Sequence, residues 1–194
     1  MLSERLQLKL YLQPSAHFEV EALIPVFHRF IREQLIKELL IDVVDYSHVP
    51  NGPGVVLIGH SADYYVGAMD GAFGLIYSLK RGGSTAEGRL ADSLRRVVNV
   101  ARLLEQDSTV QMRFKSGELS LRLTDRLHAP NDEATFASAK AEVEQLFGNV
   151  YGGAVAVERL VEERGPLGLS IKASSAPSLE ALLEKLGGPP GVLN

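Results

Sequence analysis

The stretch from Leu39 to Lys80 constrains this chain most, because it reads as consecutive strands joined by turns too short to hold a helix. Strands joined that tightly run antiparallel, since a parallel pair needs a crossover of a dozen or more residues. Three strands are expected here, the middle one running on from Val55 through Val66. The first turn is Val49-Pro50-Asn51-Gly52-Pro53-Gly54. Asp70-Gly71 marks the second, glycine accepting the positive φ of a type I′ turn. Centring that turn on Asp70-Gly71 pairs Val66 with Leu75 and Tyr64 with Tyr77.

The rest of the chain alternates helical and strand periods. Leu6, Leu8, Leu10 and Leu12 alternate with Gln7, Lys9 and Tyr11, the period of two of a half-buried strand. Leu23, Val26, Phe27, Phe30, Ile31 and Leu35 form one helical stripe. Pro25 fits it only in the first turn, so the helix starts near Leu23 or Ile24. A second helix carries Leu90, Leu94, Val97, Ala101 and Leu104 behind a cap at Ser84 or Thr85. A hairpin is expected at Ser116-Gly117, with Phe114 facing Leu119, Met112 facing Leu121, Val110 facing Leu123 and Lys115 facing Glu118. A third helix spans about Asp132 to Phe147. A hairpin of Ala154–Val161 and Leu167–Ala173 follows, turning at Arg164-Gly165-Pro166. Ser178 caps a last short helix.

This order predicts an α+β fold, a mainly antiparallel sheet with helices packed on one face. The equal stretches Ser84–Pro130 and Asn131–Pro177 each read as helix then hairpin, which suggests a repeated αββ unit. One domain over residues 1–194 is expected, with halves at 1–83 and 84–187 and a flexible tail at 188–194. The uncovered sheet face needs solvent, a ligand or a second subunit. Tyr11, Val55, Leu57 and Tyr65 are assigned to it, so a homo-oligomer is expected.

Composition narrows the partners. The net charge of −4 comes with no cluster of Lys and Arg, which disfavours nucleic acid. No apolar run is long enough to cross a bilayer, so no membrane partner is expected. With zero cysteines there is no disulfide, thiol nucleophile or thiolate metal site, and a cytoplasmic location is the default.

The chemistry-bearing groups concentrate in residues 42–65. Asp45, Tyr46, His48, His60, Asp63 and Tyr65 are candidate ligand-binding residues, with Asp42 beside them. A carboxylate next to an imidazole fixes its tautomer and raises its basicity, which suits a general base or a metal ligand. Folding about the Asn51–Gly54 turn is expected to bring Asp45 near His60 and Asp42 near Asp63. His48, His60 and Asp63 are then a candidate nitrogen and oxygen set for a divalent metal. The plainer alternative is a packed His60, with Asp45 and His48 serving only the turn.

Three resemblances bear on function. Gly59-His60-Ser61 resembles the approach to the nucleophile elbow of α/β-hydrolases. Asp63 stands where that motif has its second glycine, however, and Tyr64-Tyr65-Val66-Gly67 continue as strand. The opening β-α-βββ order is similar to that of glyoxalase-type metal enzymes, yet Gln7 and Lys9 occupy the region of the family's ligands. Neither activity carries over. Over Val26 to Tyr77 the chain resembles a family of bacterial proteins with no assigned function, which implies no activity. The leading expectation is a self-associating protein that binds a small ligand or partner. The alternatives are a small metal-dependent or acid–base enzyme using the 42–65 cluster, and a structural assembly subunit.

Overall fold

A computed structural model describes residues 4–14, 19–50, 52–68, 71–81, 86–160 and 165–190. In chain order its elements are β1 (Leu6–Leu12), α1 (Leu23–Glu33), β2 (Leu40–Tyr46), β3 (Gly54–Gly59), β4 (Ala62–Gly67) and β5 (Gly74–Leu79). Then come α2 (Ala86–Gln106), β6 (Phe114–Leu123), α3 (Glu133–Tyr151), β7 (Val155–Leu160), β8 (Leu167–Ala173) and α4 (Leu179–Lys185). The eight strands make one antiparallel sheet in the order β2-β3-β4-β5-β1-β6-β8-β7. All four helices cover one face, so the expected α+β class and helix placement hold.

β1 joins the two halves of the sheet. Leu8 lies between Tyr77 of β5 and Leu121 of β6, and Leu10 lies between Leu75 and Leu119. These side chains meet Leu94, Val97 and Ala101 of α2, Phe27 and Phe30 of α1, and Val143 and Phe147 of α3 in a single apolar cluster. Burial of that stripe, not helix propensity, holds α2 in place. Pro25 sits in the first turn of α1, as its missing N–H requires. Asp132 caps α3 by accepting from the N–H of Thr135, and Ser178 caps α4 by accepting from that of Ala181.

Two expectations about strands are corrected. The region 39–80 holds four strands, not three, because the run from Val55 to Val66 breaks at His60-Ser61 and folds back with Ile58 opposite Asp63. Gly59 permits the break: a Cβ there would meet the carbonyl oxygen of Ala62 and lie 2.6 Å from Glu38 Cγ. The pairs Val66–Leu75 and Tyr64–Tyr77 form as expected, and Gly71 has φ +79°. Asp70 lies outside the described residues, as do Asn51, Arg164 and the expected cap at Ser84 or Thr85.

The hairpin at Ser116-Gly117 does not form either. Phe114–Leu123 is one strand, paired along Leu119–Leu123 with β1 on one side and β8 on the other. Leu10 faces Leu119 while Leu12 faces Phe114, so the surplus residues on β6 are taken up as a bulge around Ser116-Gly117. Two long ladders outcompeted one local one. The Tyr151 hydroxyl donates to the Ser116 carbonyl, fixing the bulge from α3. The Lys115–Glu118 ion pair still forms, at 2.9 Å across the bulge, and Val110 and Met112 are buried in the lead-in to the strand. Since α2 is followed by one strand and α3 by two, the αββ repeat is absent.

Candidate functional site

The helix-free face of the sheet is partly apolar and partly polar. Val56, Tyr65 and Ile76 form a small apolar cluster there, with Ile58 packed against it. Tyr65 reaches this face as expected, but Val55 and Leu57 point to the helices, one position out of phase with Val56 and Ile58. Beside the cluster, the Gln7 amide donates to the Tyr65 hydroxyl at 3.3 Å and to the Ser78 hydroxyl at 3.2 Å. Burial chiefly pushes the Tyr65 phenol up to about 12, with Arg122 opposing and Asp63 adding to the rise. Lys9 is only 2% exposed; its ammonium donates to the Ala72 carbonyl and lies 4.8 Å from the centre of the Tyr11 ring.

The predicted polar cluster is split between opposite ends of β3. Asp45 faces Val55 and Tyr46 faces Gly54, whereas His60 follows Gly59 at the other end of that strand. At about 3.3 Å of rise per residue, the five steps from Val55 to His60 put the two groups roughly 16 Å apart along the sheet. Asp45 and His48 therefore do not meet His60. Asp45 Oδ1 instead accepts from the backbone N–H of Ser47 at 2.8 Å, and this bonding to Ser47 holds its carboxyl below the usual carboxylate range. Tyr46 and His48 are exposed beside it. Asp42 faces Ile58, which faces Asp63, so the two carboxylates share a row but are separated by β3. The candidate metal set of His48, His60 and Asp63 is not assembled, and no group of three potential ligands occurs among the described residues.

His60 and Asp63 lie instead in a hydrogen-bonded network at the other end of β3. Asp63 Oδ1 accepts from Lys80 Nζ at 2.7 Å and from the Gly59 N–H at 3.3 Å, and Lys80 Nζ also donates to the Gly59 carbonyl at 2.7 Å. The neighbouring Ser61 N–H donates to Glu38 Oε1 at 2.9 Å, and the Ser61 carbonyl accepts from the N–H groups of Lys80 and Arg81. These bonds tie the β3–β4 turn to the end of β5. Arg81 Nη1 lies 3.5 Å from His60 Nε2. The Thr124 N–H donates to the Arg5 carbonyl at 3.1 Å, bringing in the start of β1 and the end of β6.

Between these strand ends opens a cleft of about 670 Å³, lined by Arg5, Gln7, Ser78, Lys80, Arg81, Thr124, His60 and the apolar Ile41 and Leu79. Its volume is within the range of small-molecule sites. A second cleft, of about 680 Å³, lies at the other end of β6 around Gln13, Ser116, Gly117 and Lys172; its Lys115 is paired with Glu118. Sequence reasoning missed Arg5, Gln7, Ser78, Lys80, Arg81 and Thr124. They converge only once β1 is inserted between β5 and β6, and strand order leaves no local signal. Compared with known protein families and with curated proteins, the chain matches none of them.

Proposed function

We propose that this protein binds a small ligand in the His60–Arg81 cleft and self-associates. The observation that carries the reading is the convergence in that cleft of Gln7, Ser78, Thr124, Lys80 and Arg81 from three strand ends. A largely pre-formed cleft with a few convergent polar groups is the usual form of a small-molecule site. The enzyme alternative using Asp45, His48, His60 and Asp63 draws less support, because the register sets Asp45 at the far end of β3 from His60.

Self-association is supported by the edge strand β2. Leu39, Ile41, Tyr46 and Val49 are all exposed, at 62%, 59%, 40% and 40%, and all belong to β2 or its ends. β2 is the last strand of the sheet and contains neither proline nor lysine, its edge being guarded only by the charges of Asp42 and Asp45 and by one bulge. A bulge at Ile41 interrupts its ladder, leaving Asp42–Tyr46 regular. A second copy laid along β2 would cover these side chains and extend the sheet.

Native mass spectrometry on gently purified protein tests both parts. The expected spectrum shows an oligomer retaining a small molecule that Arg81→Gln releases, with the oligomer weakened by Leu39→Lys. A monomer without added mass would overturn the reading.

A further inference from the structure

The chemistry of the cleft goes further than its shape. Among the described residues its lining holds three cationic side chains, Arg5, Lys80 and Arg81, with the His60 imidazole among them and no carboxylate. This occurs in a chain whose net charge is −4. Asp63, just outside, offsets part of the charge of Lys80 but does not use up its donors. An ammonium has three N–H groups, and two of those of Lys80 go to Asp63 and the Gly59 carbonyl, leaving a third. The guanidinium of Arg81 has five donors in a fork that suits a tetrahedral oxyanion, and the side chain is exposed at the cleft.

We infer that the cleft takes a phosphorylated small molecule, with its phosphate against Lys80 and Arg81 and near Arg5; this rests on the ligand-binding reading above. The Gln7 amide and the hydroxyls of Ser78 and Thr124 then face the body of the ligand, and Ile41 and Leu79 give it an apolar wall. Nucleic acid fits less well, because it needs cations spread along a track, not gathered in one cleft. The His60 imidazole lies beside Arg81, Nε2 at 3.5 Å from Nη1.

The test is isothermal titration calorimetry on the full chain with glucose 6-phosphate, inorganic phosphate and glucose. Both phosphate probes are expected to bind saturably, glucose is not, and raised salt weakens the binding. Arg81→Gln is expected to weaken glucose 6-phosphate about tenfold, the worth of a charge-assisted hydrogen bond. Lys115→Gln, in the other cleft, leaves it unchanged. Equal binding of glucose and glucose 6-phosphate would overturn the phosphate inference while leaving the ligand-binding reading standing, as would a neutral molecule retained in the native mass spectrum. Failure of both phosphate probes to bind, or binding indifferent to Arg81→Gln, would overturn the inference as well.

Discussion

Replacing Gly59 by alanine should loosen the turn on which the cleft depends. An added Cβ would lie 2.6 Å from Glu38 Cγ and closer still to the carbonyl oxygen of Ala62, where real Cβ contacts essentially never fall below 3.0 Å. Glu38 would have to retreat by about 0.4 Å to reach that limit. It is 7% exposed and holds the Ser61 N–H, so it has little room to move. Ala62 is backbone in the ladder with Leu79 and cannot swing aside. Overpacking of this kind costs roughly 1–3 kcal/mol. For a chain of this length, roughly 2–4 °C is lost per kcal/mol, so the midpoint of thermal unfolding should fall by about 2–12 °C. Urea unfolding should show the same loss with an unchanged slope. The amide signals of His60, Ser61 and Lys80 should shift further than those of β7 or β8. An unchanged midpoint would refute the tight His60-Ser61 turn.

Other perturbations give equally definite outcomes. Gly148→Ala, inside α3, meets nothing nearer than the Gly153 carbonyl oxygen at 3.7 Å, so urea unfolding should show stabilisation by about 0.5–1 kcal/mol from helix propensity. Leu8→Ala, in the fully buried centre of the sheet, should cost about 2–5 kcal/mol in the same assay. Asp63→Asn removes the anion beside Lys80 and should tighten glucose 6-phosphate binding in calorimetry, whereas weaker binding would mean that the pair chiefly positions the lysine. Burial raises the phenols of Tyr64, Tyr65, Tyr77 and Tyr151, that of Tyr65 to about 12. A raised folded value means that the unfolded chain loses its protons first. This contribution to stability is therefore complete below about pH 10 and lost as the pH rises, by up to roughly 1.4 kcal/mol per tyrosine per pH unit. Urea midpoints should fall steeply above pH 10, and native tyrosine absorbance that titrates near pH 10 for these four would contradict it.

Local signals in the sequence account for most of the elements and for little of the site. Alternating leucines gave β1, and the stripe of Leu90, Leu94, Val97, Ala101 and Leu104 gave α2. Asp132 and Ser178 marked helix starts because capping is a bond between near neighbours. Ser116-Gly117 misled because a good local hairpin and a bulge within a long strand share the same residues. The choice between them was made by β1 and β8, far away in sequence. His60-Ser61 was missed as a turn because the strand formers Val55–Ile58 and Tyr64–Val66 on either side masked the weak break at Gly59 and Asp63, and its enabling contact with Glu38 is long-range. Pairing Asp45 with His60 failed for the related reason that the direction of β3 separates them. His60 lines the cleft and Asp63 stands beside it, but the cations there come from strand ends that only the sheet order brings together.

Amide mapping by NMR on the isotopically labelled full chain tests most directly whether a ligand sits in the His60–Arg81 cleft. On addition of glucose 6-phosphate, the predicted shifts gather at Gly59, His60, Ser61, Lys80, Arg81 and Thr124. Shifts gathering instead at Gln13 and Lys115–Glu118, or no shifts at all, would contradict it.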